Sequence, residues 1–350
     1  MYNDYNTKEN NLKAIKGKKE KQKIKNVSDI SILKDVNKNG KDNNWKERKE
    51  ENLNLAESYK RIGSQKYYRV LDCSTFLEFT YSLDTGEKKL NNANFCKVRL
   101  CPMCSWRRSL KIFGQVSKVM DYVEENYNYR YIFLTLTVKN CYGEDLKHTL
   151  DHMTDSFNRM TRRKIFKQSV KGYFRSLEVT YNKDENTYHP HFHLILAVND
   201  SYFTDTRYYL SQERWTELWK SSLKVDYIPI VDVRKLKKNR GKEVAEVAKY
   251  TVKSEDFIIR ETDGQINKKL TDEVVKTLDL ALHRKRLTSF GFIFKEVHRK
   301  LNLDDAEDGD LINTDNDEDL RSDLTSVILR YQWNIGIKNY SLIEVTADKK

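Results

Sequence analysis

The chain contains no run of roughly 18 apolar residues, which excludes an ordinary transmembrane helix. Its opening, Met1-Tyr2-Asn3-Asp4-Tyr5, has no apolar signal core. Cysteine is scarce, five in 350 residues, and odd in number. Without a secretion signal this points to a reducing, cytoplasmic setting, with the cysteines as thiols or metal ligands rather than disulfides. No internal repeat is evident. Residues 1–57 hold few aromatics and are rich in Lys, Asn and Glu, and they read as a disordered or loosely helical arm.

What is abundant is positive charge. The net charge is +12 and the pI is near 9.2. Lysines crowd the start (Lys8, Lys13, Lys16, Lys18, Lys19, Lys21, Lys23, Lys25), whereas Asp304 to Asp323 is strongly acidic, so the remainder is more basic than the total implies. A basic body suggests a polyanionic partner, nucleic acid first and a membrane surface second. Lysine-rich surfaces are, however, often only solvated faces.

Folded character is expected from Tyr67-Tyr68-Arg69-Val70-Leu71 onward. Residues 131–138 are β-branched and aromatic and read as a strand. Residues 145–163 carry apolar side chains at Leu146, Leu150, Met153, Phe157 and Met160, a helical period. A strand at 173–180, a polar turn at 182–186 and the strand that follows form a hairpin. Further helices are expected at 214–223, 243–253 and 271–282, another strand at 227–233, and terminal strands within 325–345. Strands and helices mix without regular alternation, which favours an α+β fold on a central antiparallel β-sheet flanked by helices.

The second hairpin strand carries the main signal. His189-Pro190-His191-Phe192-His193 runs into Leu194-Ile195-Leu196-Ala197-Val198, and three of the seven histidines alternate along it. In a strand, alternate residues share a face, so these three imidazoles suit a metal site. The plain alternative is a histidine-rich strand end in solvent. Imidazole joined by a carboxylate suits Mg, Mn or Zn, and Glu178 lies on the neighbouring strand. Glu178 reads equally well as a solvent-facing glutamate. On a helix over 243–253, Glu246, Tyr250 and Lys253 share one face: a hydroxyl nucleophile with a base and a charge stabiliser. With 21 tyrosines, Tyr250 alone reads as a packing residue. Upstream, Cys101-x-x-Cys104 is a knuckle that Cys96 and Cys73 could complete as a structural Cys₄ zinc site; buried free thiols are the alternative. Cys141 reads as a small buried residue. Arg107, Arg108 and Lys111 could contact phosphates, or could be a solvated helix start.

Taken together, Tyr188-His189-Pro190-His191-Phe192-His193-Leu194-Ile195-Leu196 followed by Glu246-Val247-Ala248-Lys249-Tyr250 resembles the HUH endonucleases, and among them the single-tyrosine plasmid rolling-circle replication initiators, the Rep proteins. Phe133-Leu134-Thr135-Leu136-Thr137 resembles the family's first strand motif, residues 95–108 its cysteine segment and residues 286–291 its downstream segment. The resemblance covers residues 67–301. It implies a ferredoxin-like-derived sheet with a cysteine-rich zinc module upstream. The expected division is a charged arm (1–57), the cysteine module (58–115), a nicking domain (116–302), an acidic linker (303–323) and C-terminal strands (324–350).

The resemblance also implies roles. His191 and His193 would ligate a divalent cation, Mg²⁺ or Mn²⁺, with Glu178 or His189 as third ligand. Tyr250 would nick one DNA strand, leaving a 5′-phosphotyrosine and a free 3′-OH that primes synthesis. Glu246 would activate water in the terminating cleavage, and Lys253 would steady the transition state. The partner would be a plasmid's double-strand origin, unpaired at the nick and held in a basic, aromatic-lined groove with Tyr173 and Arg175 as candidates; Phe174 reads as core. A host helicase follows by analogy only, the setting would be the bacterial cytoplasm, and no membrane is implied. A relaxase or transposase of the same chemistry is the near alternative, but relaxases usually place their histidines after the tyrosine. A non-catalytic, zinc-containing nucleic-acid-binding protein is the alternative of another class.

Overall fold

The computed structural model describes residues 31–36, 40–236, 241–249, 252–314 and 325–348. The chain divides into two compact units: Met1–Arg107 with Leu311–Lys350, and Arg108–Asp310. The architecture is α+β with antiparallel sheets flanked by helices, in two sheets rather than one.

In the first unit, helices α1 (Trp45–Arg61) and α2 (Lys66–Asp72) precede strands β1 (Phe76–Ser82) and β2 (Lys88–Ala93). These pair with the last two strands, β8 (Ser326–Asn334) and β9 (Asn339–Ala347), in the order β2-β1-β8-β9. Phe79 and Tyr331 meet edge-on in the core, and Trp45 closes on Phe79. Helix α1 corrects the expectation that residues up to 57 are an unstructured arm. Its buried stripe includes Lys49, Asn52 and Ser58 besides Trp45, Leu55, Ala56 and Tyr59. The polar members conceal the stripe from a hydropathy reading, because Lys49 and Asn52 donate to backbone carbonyls rather than to water. The expectations for residues 1–30 lie outside the described residues.

In the second unit, helix α3 (Pro102–Asn126), which begins in the first unit, leads to β3 (Tyr129–Thr137), then α4 (Leu146–Arg162), α5 (Lys164–Ser169), β4 (Val170–Asn182), β5 (Thr187–Asn199), α6 (Gln212–Leu223), β6 (Val231–Lys235), α7 (Gly241–Val247), α8 (Lys268–Ala281), β7 (Thr288–Phe292) and α9 (Ile293–Lys300). The sheet order is β6-β3-β5-β4-β7. Strand β5 is central and almost wholly buried, which is why it reads as a continuous apolar run. Its odd and even positions face opposite ways. Phe192 packs against Phe157 of α4 and Trp219 of α6, burial that contributes about 1.5–3 kcal/mol for such a side chain. The histidines point to the other face. Gly291, opposite Tyr173, has no side chain because a Cβ there would collide with the Tyr173 ring.

Three expectations need correction here. The strand predicted from Tyr227 begins at Val231, since Pro229 brings no N–H to a ladder. The predicted helix 243–253 ends at Val247. Residues 304–310 of the predicted acidic linker are docked: Glu307 is buried and accepts from the Leu287 and Thr288 amides and the Thr288 hydroxyl, and Asp304 pairs with Lys111 at 2.6 Å. Acid runs usually signal solvation, but here the carboxylates satisfy buried donors. No helix among the described residues is long and apolar enough to cross a membrane.

Candidate metal centre and cysteine cluster

The β4–β5 hairpin sets Glu178 directly opposite His191, with Ser176 opposite His193. On the other side of β5, Thr137 and Thr135 of β3 stand opposite the same two histidines. Cross-strand partners share a face, so one carboxylate, two imidazoles and two hydroxyls gather on a rigid sheet. Glu178 Oε2 lies 3.0 Å from His193 Nε2 and 3.4 Å from His191 Nε2. One ligand atom from each of the three residues lies within 4.8 Å of the others. His189 is not in this group; its ring stacks obliquely 5.1 Å from that of His191.

The hydrogen bonds around the group indicate what would fill it. His191 Nδ1 is 3.1 Å from the His189 carbonyl. A carbonyl only accepts, so Nδ1 carries the hydrogen and Nε2 of the neutral ring offers a lone pair. His193 Nδ1 lies 3.2 Å from Thr135 Oγ1, a hydroxyl that can donate or accept. Backbone or hydroxyl support of the far ring nitrogen is the usual outer shell of a metal-binding histidine. With neutral rings, the His191 Nε2 lone pair and Glu178 Oε2 repel unless a proton or a cation lies between them, whereas protonated rings donate to the carboxylate. Burial alone would raise the Glu178 pKa, but bonding to and charge from His191 and His193 prevail and hold it well below the usual carboxylate range. The donor set therefore fits a hard or borderline divalent cation.

Lys253 is brought to the same place, with Nζ 3.8 Å from Glu178 Oε1 and 3.7 Å from Glu255. It does not arrive on the predicted helical face, since α7 ends at Val247 and Lys253 opens a separate short turn over 254–256. Glu246 reaches Arg234, Nη2 to Oε2 at 3.4 Å. Arg234 lies over the Phe133 ring, which in turn meets His193. Tyr250 lies outside the described residues. Thr135 and Thr137 stand within the first strand motif but carry no predicted role, and Arg234 is not singled out from sequence; the cross-strand register of β3 is the signal that finds their place.

The cations predicted to contact phosphate are bonded within the protein. Arg107 donates to the carbonyls of Leu311 and Ile312, Arg108 to that of Glu307, and Lys111 to Asp304 and the Asp310 carbonyl. Arg175, 4% exposed, bonds Ser289 and the Arg286 carbonyl and lies 4.4 Å over the Phe192 ring, on the face away from Glu178. Burial lowers its pKa to about 10. All four cations are buried and spend their donors inside the protein. Phe174 is core, as expected.

In the first unit the four predicted cysteines converge. Cys73 lies 3.5 Å from Cys101 and 3.6 Å from Cys104, and Cys96 lies 3.7 Å from Cys104, sulfur to sulfur. A disulfide would need about 2.05 Å. Four sulfurs at zinc–thiolate distance on a tetrahedron stand about 3.8 Å apart, so the spacing fits a tetrahedral ion. Amides point at the sulfurs: Cys96 N–H at Cys73, Lys97 N–H at Cys104 and Val98 N–H at Cys96. Burial and the neighbouring sulfurs push the Cys101 thiol well up. Lys49 of α1, fully buried, donates to the carbonyls of Leu71 at 2.8 Å and Cys73 at 2.6 Å. Its ammonium interacts electrostatically with Cys73 and Cys101, Asn52 beside it accepts from Cys101, and Arg69 donates to the Cys96 carbonyl.

Two α+β units, one with a sheet-borne Glu/His group and one with a four-cysteine cluster, define a class of two-module proteins with two candidate metal centres. The sequence comparisons narrow it. A sequence model described as Replication protein matches residues 87–341. A Protein rep of Bacillus amyloliquefaciens is 40% identical over 343 residues, covering 90% of this chain and 98% of the relative. A Protein rep of Streptococcus pneumoniae serotype 2 (strain D39 / NCTC 7466) is 42% identical over 316 residues, covering 88% and 95%. A Replication protein of Staphylococcus aureus is 41% identical over 233 residues, covering 65% and 96%. No solved structure matches the chain. The chain belongs to the Replication protein family, so the resemblance drawn from the histidine strand holds at that level.

Proposed function

We propose that this protein initiates plasmid rolling-circle replication by nicking one DNA strand at the double-strand origin. The observation that carries the reading is the Glu178–His191–His193 group, with its imidazoles oriented from behind and Lys253 at its rim. The three residues would hold Mg²⁺ or Mn²⁺, which when bound supplies Lewis-acid polarisation of the scissile phosphate. Tyr250 is the nucleophile: its phenol gives its proton to solvent, its oxygen bonds to phosphorus, the P–O3′ bond breaks, and the 3′-oxygen takes up a proton from solvent and leaves as a hydroxyl. The result is a 5′-phosphotyrosine that keeps the phosphodiester energy for rejoining. Lys253 neutralises charge that develops on the phosphate oxygens. Glu246 takes a proton from water in the terminating cleavage, with Arg234 positioning its carboxylate. The cysteine cluster is a structural zinc site, supported by its sulfur spacing and amide donors.

Incubating the protein with a single-stranded origin oligonucleotide and Mn²⁺, followed by mass spectrometry, tests this. An adduct on Tyr250 is expected, absent in Tyr250→Phe. An adduct on another residue, or nicking that survives Tyr250→Phe, overturns the assignment. Binding without nicking favours a non-catalytic module.

A further inference from the structure

Pro190 interrupts the ladder beside the metal face. Tyr188 exchanges both backbone bonds with Cys141, and Thr137 stands opposite His191. Between these two pairings β5 has two residues, His189 and Pro190, while the β3 side has three, Val138, Lys139 and Asn140. Backbone bonding direction alternates along a strand, so Pro190 would aim its N–H where Tyr188 aims its own, towards the β3 side; proline has none. The extra residue bulges outward, as bulges next to functional sites do.

The bulge opens a cavity of about 390 Å³, lined by residues that include Lys139, Cys141, Tyr142, His148, His152 and Tyr227. That size lies at the small end of ligand sites. Cys141, expected to be buried, is half-exposed here. The Lys139 amide donates to the Tyr227 hydroxyl and the Lys139 ammonium lies 4.5 Å over the Tyr227 ring. Tyr142 at the mouth is 61% exposed. The apolar surface then continues along Ile228 and Ile230, which are 76% and 74% exposed. The Ile230 carbonyl accepts from both the amide and the hydroxyl of Thr137, the residue opposite His191. An exposed strip of tyrosine and isoleucine thus runs from the cavity to the metal face, with a lysine at its start.

We infer that the cavity receives an unpaired nucleobase of the DNA strand held at the metal face, and that the strip carries the neighbouring bases. Flat apolar faces suit base stacking, Lys139 suits the adjoining phosphate, and the His148 ring and the Nδ1 edge of His152, whose Nε2 is bonded to the Leu223 carbonyl at 2.8 Å, offer polar edges to the base. Asp145 on the α4 side of the rim keeps phosphates to the Lys139 side. The inference deepens the proposed function and rests on its assignment of DNA as the ligand.

The test is fluorescence anisotropy of the full chain with labelled oligothymidine, in EDTA so that no cleavage intervenes. Stacking on an aromatic contributes about 1–3 kcal/mol per base, so Tyr227→Ala is expected to weaken binding roughly 5- to 150-fold. Tyr227→Phe, which keeps the ring, is expected to bind within about twofold of wild type. Tyr142→Ala, a change at an exposed position, is expected to weaken binding in the same direction while melting at the wild-type temperature. Duplex DNA, which offers no unpaired base, should bind all variants alike. Equal losses on duplex and oligothymidine, or none on either, overturn the pocket. A loss confined to oligouridine assigns the cavity to RNA instead and also overturns it. Nicking of origin plasmid in Mn²⁺ is scored separately on wild type, so failure of the nicking reading is distinguishable from failure of the pocket.

Discussion

Glu178 and His193 touch across a hairpin, carboxylate Oε2 to imidazole Nε2 at 3.0 Å, with the far nitrogen of the ring on Thr135. The carboxylate is common to both histidine contacts, so it is the hinge of the group. Glu178→Ala is expected to weaken Mn²⁺ binding at least 10- to 100-fold, whereas Thr135→Val, which frees only the far ring nitrogen, falls within that range. Isothermal titration of Mn²⁺ into the two variants measures both. Equal affinity of Glu178→Ala and wild type would mean that the carboxylate is not a ligand.

The cysteine cluster makes a second prediction. A zinc ion with four thiolates carries net negative charge, and a buried charge needs a partner. Lys49 supplies it from a helix outside the cysteine segment. Purified protein is expected to hold one zinc per chain, lost in Cys101→Ser. Lys49→Met should keep the fold but release zinc to a chelator roughly 10- to 100-fold more readily. Zinc retention unchanged in Lys49→Met would limit Lys49 to its two carbonyl bonds.

The contrast between these centres explains what the sequence discloses. The histidine strand and its partner Glu178 are legible because a strand has period two and a short hairpin fixes register, so the face and the opposite residue follow together. The tyrosine helix is less legible: periodicity places Glu246 and Lys253 on one face, but the helix ends at Val247, and Lys253 reaches Glu178 through a later turn. Helix α1 was hidden because Lys49 and Asn52 are buried against partners distant in sequence, where composition suggests solvent. The burial of Arg107, Arg108, Lys111 and Arg175 was hidden for the same reason, since cations are ordinarily exposed. Pro190 was visible, but the bulge it permits depends on where β3 leaves the sheet.

Tyr188 offers a pH test at the start of the histidine strand. Burial, opposed by its bond to Thr277, pushes its phenol up to about 12. A folded pKa above the ordinary value of about 10 favours the protonated form in the folded state. The stability it contributes is complete below about pH 10 and is lost as pH rises towards 12. Thermal melts between pH 9 and 12 should fall less steeply for Tyr188→Phe than for wild type. Parallel curves would show that the phenol has the same pKa in the folded and unfolded chain.

Arg175 separates structural from DNA-contacting cations. Its guanidinium is packed over Phe192 with carbonyl and hydroxyl bonds to Arg286 and Ser289. Arg175→Met keeps the apolar stem and removes those bonds, so unfolding free energy should drop by about 1–3 kcal/mol. A cation that neutralises a phosphate sets part of the salt dependence of binding, about one counterion each. Because Arg175 is on the helix-covered face, the slope of DNA affinity against salt should be unchanged in Arg175→Met, whereas Lys139→Met, at the mouth of the bulge cavity, should lower it by about 0.7 for single strands. A reduced slope in Arg175→Met would place its guanidinium on DNA and require the β4 face to open on binding.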